Sequence, residues 1–310
     1  MAWNTQRNWR WCSKCQGLWF GGNPAGKCPA GGTHIKTGSA NYSLVMNATS
    51  IPGQPNWRWC NKCQGLWFGG NPAGKCPAGG NHVKVGSANY TLANQSGAGQ
   101  TNWRWCSKCQ GLWFGGNPAG PCPNGGTHVQ AGSADYRLIQ VTTTVRVHVK
   151  ILTIPTVSLE TMLNNMREVY AVGKINVECA SSETLNLPAL NDVDVGSCVS
   201  GVTTAEQVQL FANRNNVGTN ELVVYMVRST LPPFNGCAAH PAGRPGAVVA
   251  KGASQWTFGH ELGHVLGLNH VNNNDRLMTG NGTANITNPP PDLAASEVTT
   301  MVASPFTINV

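Results

Sequence analysis

The 310-residue sequence predicts a multidomain protein, with small β-rich repeats in front and an α/β domain behind. Three observations carry that reading. One unit recurs three times before residue 140. The charge changes sign at about the same place: residues 1–140 hold 12 lysines and arginines against the single acid Asp135, while residues 141–310 are mildly acidic, within a total of +8. Beyond that point the apolar pattern switches between strand and helix periods. The expected domains are therefore 1–140 and 141–310.

The repeat opens as Asn8-Trp-Arg-Trp-Cys-Ser-Lys-Cys and closes as Gly-Ser-Ala-(Asn/Asp)-Tyr-x-Leu. The copies span about residues 8–44, 56–92 and 102–138, joined by polar segments rich in Gly, Pro, Ser and Asn. Short strands bounded by glycines are expected at Asn8–Trp11, Gly17–Phe20 and Ala40–Leu44. Three copies can close into a β-trefoil or hang as separate beads, and the unequal polar joints favour beads. Each copy holds three cysteines and a histidine at C-x2-C-x12-C-x5-H spacing: Cys12, Cys15, Cys28, His34; Cys60, Cys63, Cys76, His82; Cys106, Cys109, Cys122, His128. An odd cysteine count fits internal disulfides poorly, whereas a Cys3His structural zinc site uses every ligand. A module this short also needs a staple.

Nine of the eleven tryptophans lie in the repeats. A single module offers too little core to bury three aromatics, so exposed rings are expected, and exposed rings suit sugar stacking. A glycan or cell-surface ligand is therefore ranked first for the repeats. The basic balance keeps nucleic acid as the second choice. The repeats resemble Trp/Cys repeats appended to various bacterial proteins, a resemblance that brings no defined function.

In the second domain, Thr144–Ile154 alternates as a half-buried strand, with Arg146, His148 and Lys150 on the solvated face. Ser158 caps a helix carrying Leu159, Met162, Leu163, Met166, Val169 and Tyr170, which Gly173 stops. Ile175–Cys179 returns as a strand. This order suits a mostly parallel sheet with a right-handed crossover. Thr204 and Gln207 form a capping box opening a helix to about Asn213. Glu221–Arg228 reads as a buried central strand, and Ala247–Ala250 as a shorter one. Ser254 is the expected cap of a helix reaching about Leu266, and Leu293–Ala303 closes the chain as a helix. Of Cys179, Cys198 and Cys237, two can pair in an oxidising compartment and one stays free.

The chemistry lies in His260-Glu-Leu-Gly-His264-Val-Leu-Gly-Leu-Asn-His270. On a helix, His260 and His264 share a face and Glu261 lies one step round. Gly267 ends the helix by tolerating positive φ and brings His270 back as a third ligand. Three protein ligands on zinc leave a fourth position open, as in a catalytic site. With Met278 shortly downstream, the stretch resembles the metzincin zinc endopeptidases, whose signature joins this motif to a methionine turn. The resemblance implies a peptidase in which Glu261 is the general base, Met278 the floor of the site, and the strand before the helix (Ala247, Val248, Val249) the sheet edge along which substrate lies. Two positions depart from the family pattern. Gly280 stands where some members carry a tyrosine, and Val271 does not match the common residues after the third histidine.

The expected function is a zinc-dependent metalloendopeptidase acting on protein or peptide substrates, with one catalytic zinc and three structural ones. The alternatives are a lectin-like surface protein in which the peptidase domain is secondary, and repeats that act as an inhibitory or chaperone domain. No run of eighteen apolar residues is present, so no membrane span is expected. An extracellular location is expected although the first residues carry no recognisable secretory leader; a cytoplasmic one is the alternative.

Overall fold

The computed structural model describes residues 4–310; residues 1–3 of the expected first domain lie outside the described residues. The chain divides into two compact units, with the boundary between Val141 and Thr142.

The first unit holds three strands per copy: β1 (Asn4–Trp11), β2 (Leu18–Phe20) and β3 (Tyr42–Met46), then β4 (Gln54–Trp59), β5 (Leu66–Phe68) and β6 (Tyr90–Leu92), then β7 (Gln100–Trp105), β8 (Leu112–Phe114) and β9 (Tyr136–Gln140). In each copy the first strand pairs antiparallel with the other two. The copies are not separate beads. They close in a ring: Phe20 N donates to Gln64 O at 2.8 Å, Phe68 N to Gln110 O at 2.8 Å, and Phe114 N back to Gln16 O at 2.9 Å. One shared core results, in which Trp9, Trp57 and Trp103 meet Leu18, Leu66 and Leu112 and Tyr42, Tyr90 and Tyr136.

That shared core corrects the expectation of exposed tryptophans. Trp9, Trp57 and Trp103 are fully buried, and Trp19, Trp67 and Trp113 are at most 4% exposed. Trp11, Trp59 and Trp105 are half-buried, each donating its indole N–H to a glutamine of its own copy, Gln16, Gln64 or Gln110. One module cannot bury three indoles, but three modules around one axis can, because each face seals the next.

Glycine makes the seams possible. A Cβ on Gly26 would fall 2.3 Å from the Cys63 carbonyl, one on Gly74 2.3 Å from that of Cys109, and one on Gly120 2.4 Å from that of Cys15. No side chain fits between these main chains.

The second unit contains β10 (Thr143–Ile151), α1 (Leu159–Tyr170), β11 (Ile175–Thr184), β12 (Asp192–Asp194), α2 (Ala205–Leu210), β13 (Leu222–Val227), β14 (Ser229–Leu231), β15 (Gly236–Cys237), β16 (Gly246–Ala250), α3 (Thr257–Val265), α4 (Ala295–Ala303) and β17 (Ile308–Asn309). Its main sheet runs β11-β10-β13-β16-β15, parallel except for β15, with β17 antiparallel at the start of β10. Every side chain of β13 is fully buried, as a central strand requires. Ser158 Oγ accepts from Thr161 N at the start of α1, and Thr204 with Gln207 forms the capping box of α2. Helix α2 stops at Leu210, short of Asn213, because Phe211 turns into the core. Tyr170 donates its hydroxyl proton to Gly259 O at 2.8 Å and so fastens α1 to α3. Ser254 is not the N-cap residue of α3, which is Trp256; its Oγ accepts from Trp256 N at 3.3 Å and meets the hydroxyls of Thr257 and Thr283.

Two expectations fail in this unit. Ala247, Val248 and Val249 are not an edge: β16 lies between β13 and β15, and all three side chains are fully buried. The edge is the two-residue strand β15. His148 is not solvated either, at 3% exposure. It bonds Ser181 Oγ at 2.7 Å and Glu221 at 2.8 Å, while fully buried Lys150 pairs with Glu183. Alternation put these residues on the polar face, but that face is roofed by its own ion pairs. Burial pushes the His148 imidazole below its ordinary pKa despite the pull of Glu221.

The seam geometry gives a test. Gly74→Ala is expected to lower the stability of the first unit by about 1–3 kcal/mol through overpacking. Tryptophan fluorescence reads it as a lower denaturation midpoint, because nine of the eleven tryptophans lie in the repeats. An unchanged midpoint would show that the seam has slack.

Candidate metal centres

Four donor sets come together among the described residues: three Cys3His groups and the triad His260, His264, His270, with all donor atoms in each set within 4.8 Å of one another. In each copy the C-x2-C turn follows the first strand, and the later cysteine and histidine return in a glycine-rich loop. Cys12 Sγ lies 3.9 Å from Cys28 Sγ, and Cys15 Sγ lies 3.6 Å from His34 Nδ1; both spacings recur in the other two copies. A tetrahedral zinc with ordinary Zn–S and Zn–N lengths demands about 3.8 Å and 3.6 Å. All nine cysteines are unpaired and buried. Their crowding separates them electrostatically. Cys12 is driven well below the ordinary thiol pKa by hydrogen bonds from Cys15 and Cys28, and Cys15 well above it by its hydrogen bonds to Cys12 and Cys28. Each histidine stacks on a tryptophan of its own copy, Trp19, Trp67 or Trp113, with centroids 5.5 Å apart. The donor chemistry and spacing fit zinc at every copy.

The fourth set is built by α3 and the segment after it. The Nε2 atoms of His260, His264 and His270 lie 3.0 to 3.1 Å from one another. Nδ1 of His260 faces Leu277 O at 2.7 Å, and Nδ1 of His264 faces Leu268 O at 2.8 Å. A carbonyl only accepts, so Nδ1 carries the proton and Nε2 keeps its lone pair for a cation. Burial lowers the pKa of both imidazoles, that of His260 to about 4, which keeps them neutral and able to ligate. His270 is exposed and closes the triad from the far side of Gly267, where φ is +102°.

Met278 is fully buried, its sulfur against the α3 backbone at Gly263. The methionine turn is pinned by Val271 N to Met278 O at 2.8 Å and Gly280 N to Val271 O at 3.0 Å. Glu261 is 6% exposed, and burial pushes its carboxyl up to about 8. Gly236 of β15 lies against it: a Cβ there would come within 2.5 Å of Glu261 Oε1.

A cleft of about 640 Å³ opens beside the triad. Its walls are Glu261, His264 and the segment to His270, then Phe234 to His240 around β15, then Ser197, Cys198 and Ser200. Ala247, Val248 and Val249 do not line it. The residues around Gly236 escaped the sequence reading because a two-residue strand carries no periodic signal; the proline-glycine cluster at Pro232–Gly236 was the available cue. Cys198 and Cys237 form a disulfide and Cys179 is free.

No protein-family model matches the chain, and no curated protein matches it. Among solved structures the chain is similar to metalloproteinase-II from Bacteroides fragilis, at 15% identity, covering 53% of this chain and 54% of that one, with a TM-score of 0.39. It is also similar to a zinc-dependent peptidase from Methanocorpusculum labreanum and to an archaemetzincin from Archaeoglobus fulgidus complexed with malonate. Each of these is at 14% identity, covering 50% of this chain and 99% of that one, with a TM-score of 0.32. The chain spans about half the length, 54%, of the Bacteroides fragilis chain. Among the described residues, no helix is long and apolar enough to cross a membrane.

Proposed function

We propose that the chain is a zinc-dependent endopeptidase whose first unit is stapled by zinc and attaches it to an anionic surface. One observation carries the peptidase reading: three Nε2 atoms, each 3.0 to 3.1 Å from the others, meet beside a cleft in which a glutamate is buried on the wall. Zinc held there polarises a carbonyl and makes water more acidic. The chain's own groups do the rest. Glu261 takes the proton of the attacking water and passes it to the leaving amine. Its apolar surroundings make it a stronger base than an ordinary glutamate, and a cation at the triad favours its ionised form. Ala247–Val249 being interior, the main chain at the sheet edge around Gly236–Cys237 is the strand that pairs with an extended peptide.

For the first unit, burial of six of the nine repeat tryptophans leaves only the half-buried Trp11, Trp59 and Trp105 for sugar stacking. The basic surface remains, and it suits an acidic glycan or cell surface more than base stacking.

Three measurements test these assignments. Metal analysis is expected to give about four zinc ions per chain, about three for His264→Ala and about three for Cys60→Ser; a content near one in the wild type would sink the Cys3His assignment. The zinc-loaded chain is expected to cut casein, with kcat/KM lowered about 10²- to 10⁴-fold in Glu261→Gln at undiminished zinc content. Absence of cleavage by fully loaded wild type would defeat the peptidase reading. The chain is also expected to bind an acidic polysaccharide resin and to leave it as salt rises. Binding to duplex DNA without binding to that resin would overturn the surface assignment.

A further inference from the structure

One wall of the cleft is held differently from the other two. The α3 side is fixed by helix and methionine-turn hydrogen bonds, and the Phe234–His240 side by β15 and by Gln207 Nε2, which donates to Ala239 O at 2.9 Å. Residues 196–202, between β12 and α2, have only local hydrogen bonds. Gly196 N donates to Asp194 Oδ1 at 2.8 Å, Cys198 N to Val195 O at 3.1 Å, and Val202 N to Val199 O at 3.0 Å. Among the described residues no hydrogen bond joins this loop to the other walls. The disulfide does, running from Cys198 to Cys237, the neighbour of the glycine that packs on Glu261. Cys198 itself stands at φ +52°, a left-handed conformation that side chains rarely adopt, with glycines at positive φ on either side, Gly196 at +56° and Gly201 at +80°.

Most side chains on these walls are small (Ser197, Ser200, Gly236, Ala238 and Ala239), with Phe234 and His240 as the larger members. The room beside the triad is therefore set by where the main chain stands. Among the described residues, His240 is the one ionisable group lining the cleft apart from Glu261 and the histidines of the triad. No carboxylate, lysine or arginine awaits a charged substrate side chain.

Resting on the peptidase reading, we infer that the Cys198–Cys237 disulfide is a specificity-determining tie. It fixes residues 197–200 as a wall of the cleft, selects peptides with uncharged side chains beside the scissile bond, and caps the size of those side chains.

The test uses the full zinc-loaded chain and a series of peptides varied at one position from Ala through Leu and Phe to Trp, with Lys and Glu as charged members. Wild type is expected to favour the uncharged members of intermediate size. Cys198→Ala/Cys237→Ala is expected to shift the ratio of kcat/KM for Trp over Leu upward about tenfold, and Ser200→Phe to shift it downward about tenfold. Hydrogen exchange across 196–202 is expected to quicken in the double alanine variant alone. Unchanged size ratios in both variants, or unaltered exchange in the first, overturn the tie. Preference for Lys or Glu overturns the substrate class. Ser200→Phe keeps the disulfide, so it remains informative if the double variant folds poorly. If wild type cuts none of the peptides, the peptidase reading fails separately. The exchange rates, and calorimetric binding of the same series as peptide hydroxamates, then still decide whether the loop is a wall.

Discussion

A ligating imidazole has to be aimed, and in the second unit two main-chain carbonyls do the aiming. The bond from His260 Nδ1 to Leu277 O reaches from α3 into the methionine turn, so the ring and the turn hold each other in place. The same turn is fastened to Val271 on one side and, through Leu277 N to Asp292 O at 3.1 Å, to the approach of α4 on the other. His264 is fixed more locally, by Leu268 O just past the end of its own helix. The helix supplies the spacing of two ligands. The irregular segment from Leu268 to Asp292 supplies their orientation and the third ligand.

In the first unit the same problem of holding donors in place is met by symmetry. A single copy has three short strands, which are too few to cover its tryptophans. Closure of the three copies gives Trp9, Trp57 and Trp103 each an aromatic partner from another copy: Trp9 meets Tyr90 edge-on at 5.2 Å, Trp57 meets Tyr136 at 5.1 Å and Trp103 meets Tyr42 at 5.3 Å. The donor sets lie at the seams of that ring, because the main chain of Gly26 rests on Cys63, a donor of the next copy. Metal sites and ring closure are thus parts of one arrangement. A cation at Cys63 stiffens the surface on which the neighbouring copy is laid.

Much of this was legible because it is local. Ser158, Thr204 with Gln207, and the alternation of Val145, Val147 and Val149 declare their elements within a few residues. The four donor sets are legible because ligand spacing is a property of the chain, and each set converges as its spacing implied. What was illegible depends on partners distant in sequence. Polar joints between copies carry no information about whether Trp9 will meet Tyr90. Alternation assigned His148 to a face without telling what covers it. The strand Ala247–Val249 took the edge role from the resemblance alone, and nothing local corrected it, because Gly236–Cys237, which covers it, is too short to have a pattern. The pairing of Cys198 with Cys237 is likewise set by where two loops arrive, and Cys179 offered the same chemistry.

The short edge strand joins these threads. Because residue 236 has no Cβ, β15 can lie directly on the Glu261 carboxyl, and that contact helps take the carboxyl out of water. Removed from water, an isolated carboxyl prefers its proton, and Glu261 is raised to about 8. A divalent cation at the neighbouring histidines opposes that preference, as any close positive charge does. Glu261 and the histidine triad are therefore coupled electrostatically as well as by sequence. The glycine that brings main chain to Glu261 stands next to Cys237, so the strand that buries this carboxyl is the strand the disulfide anchors. Chemistry at Glu261 and the shape of the cleft beside it are set by two consecutive residues that no motif marks.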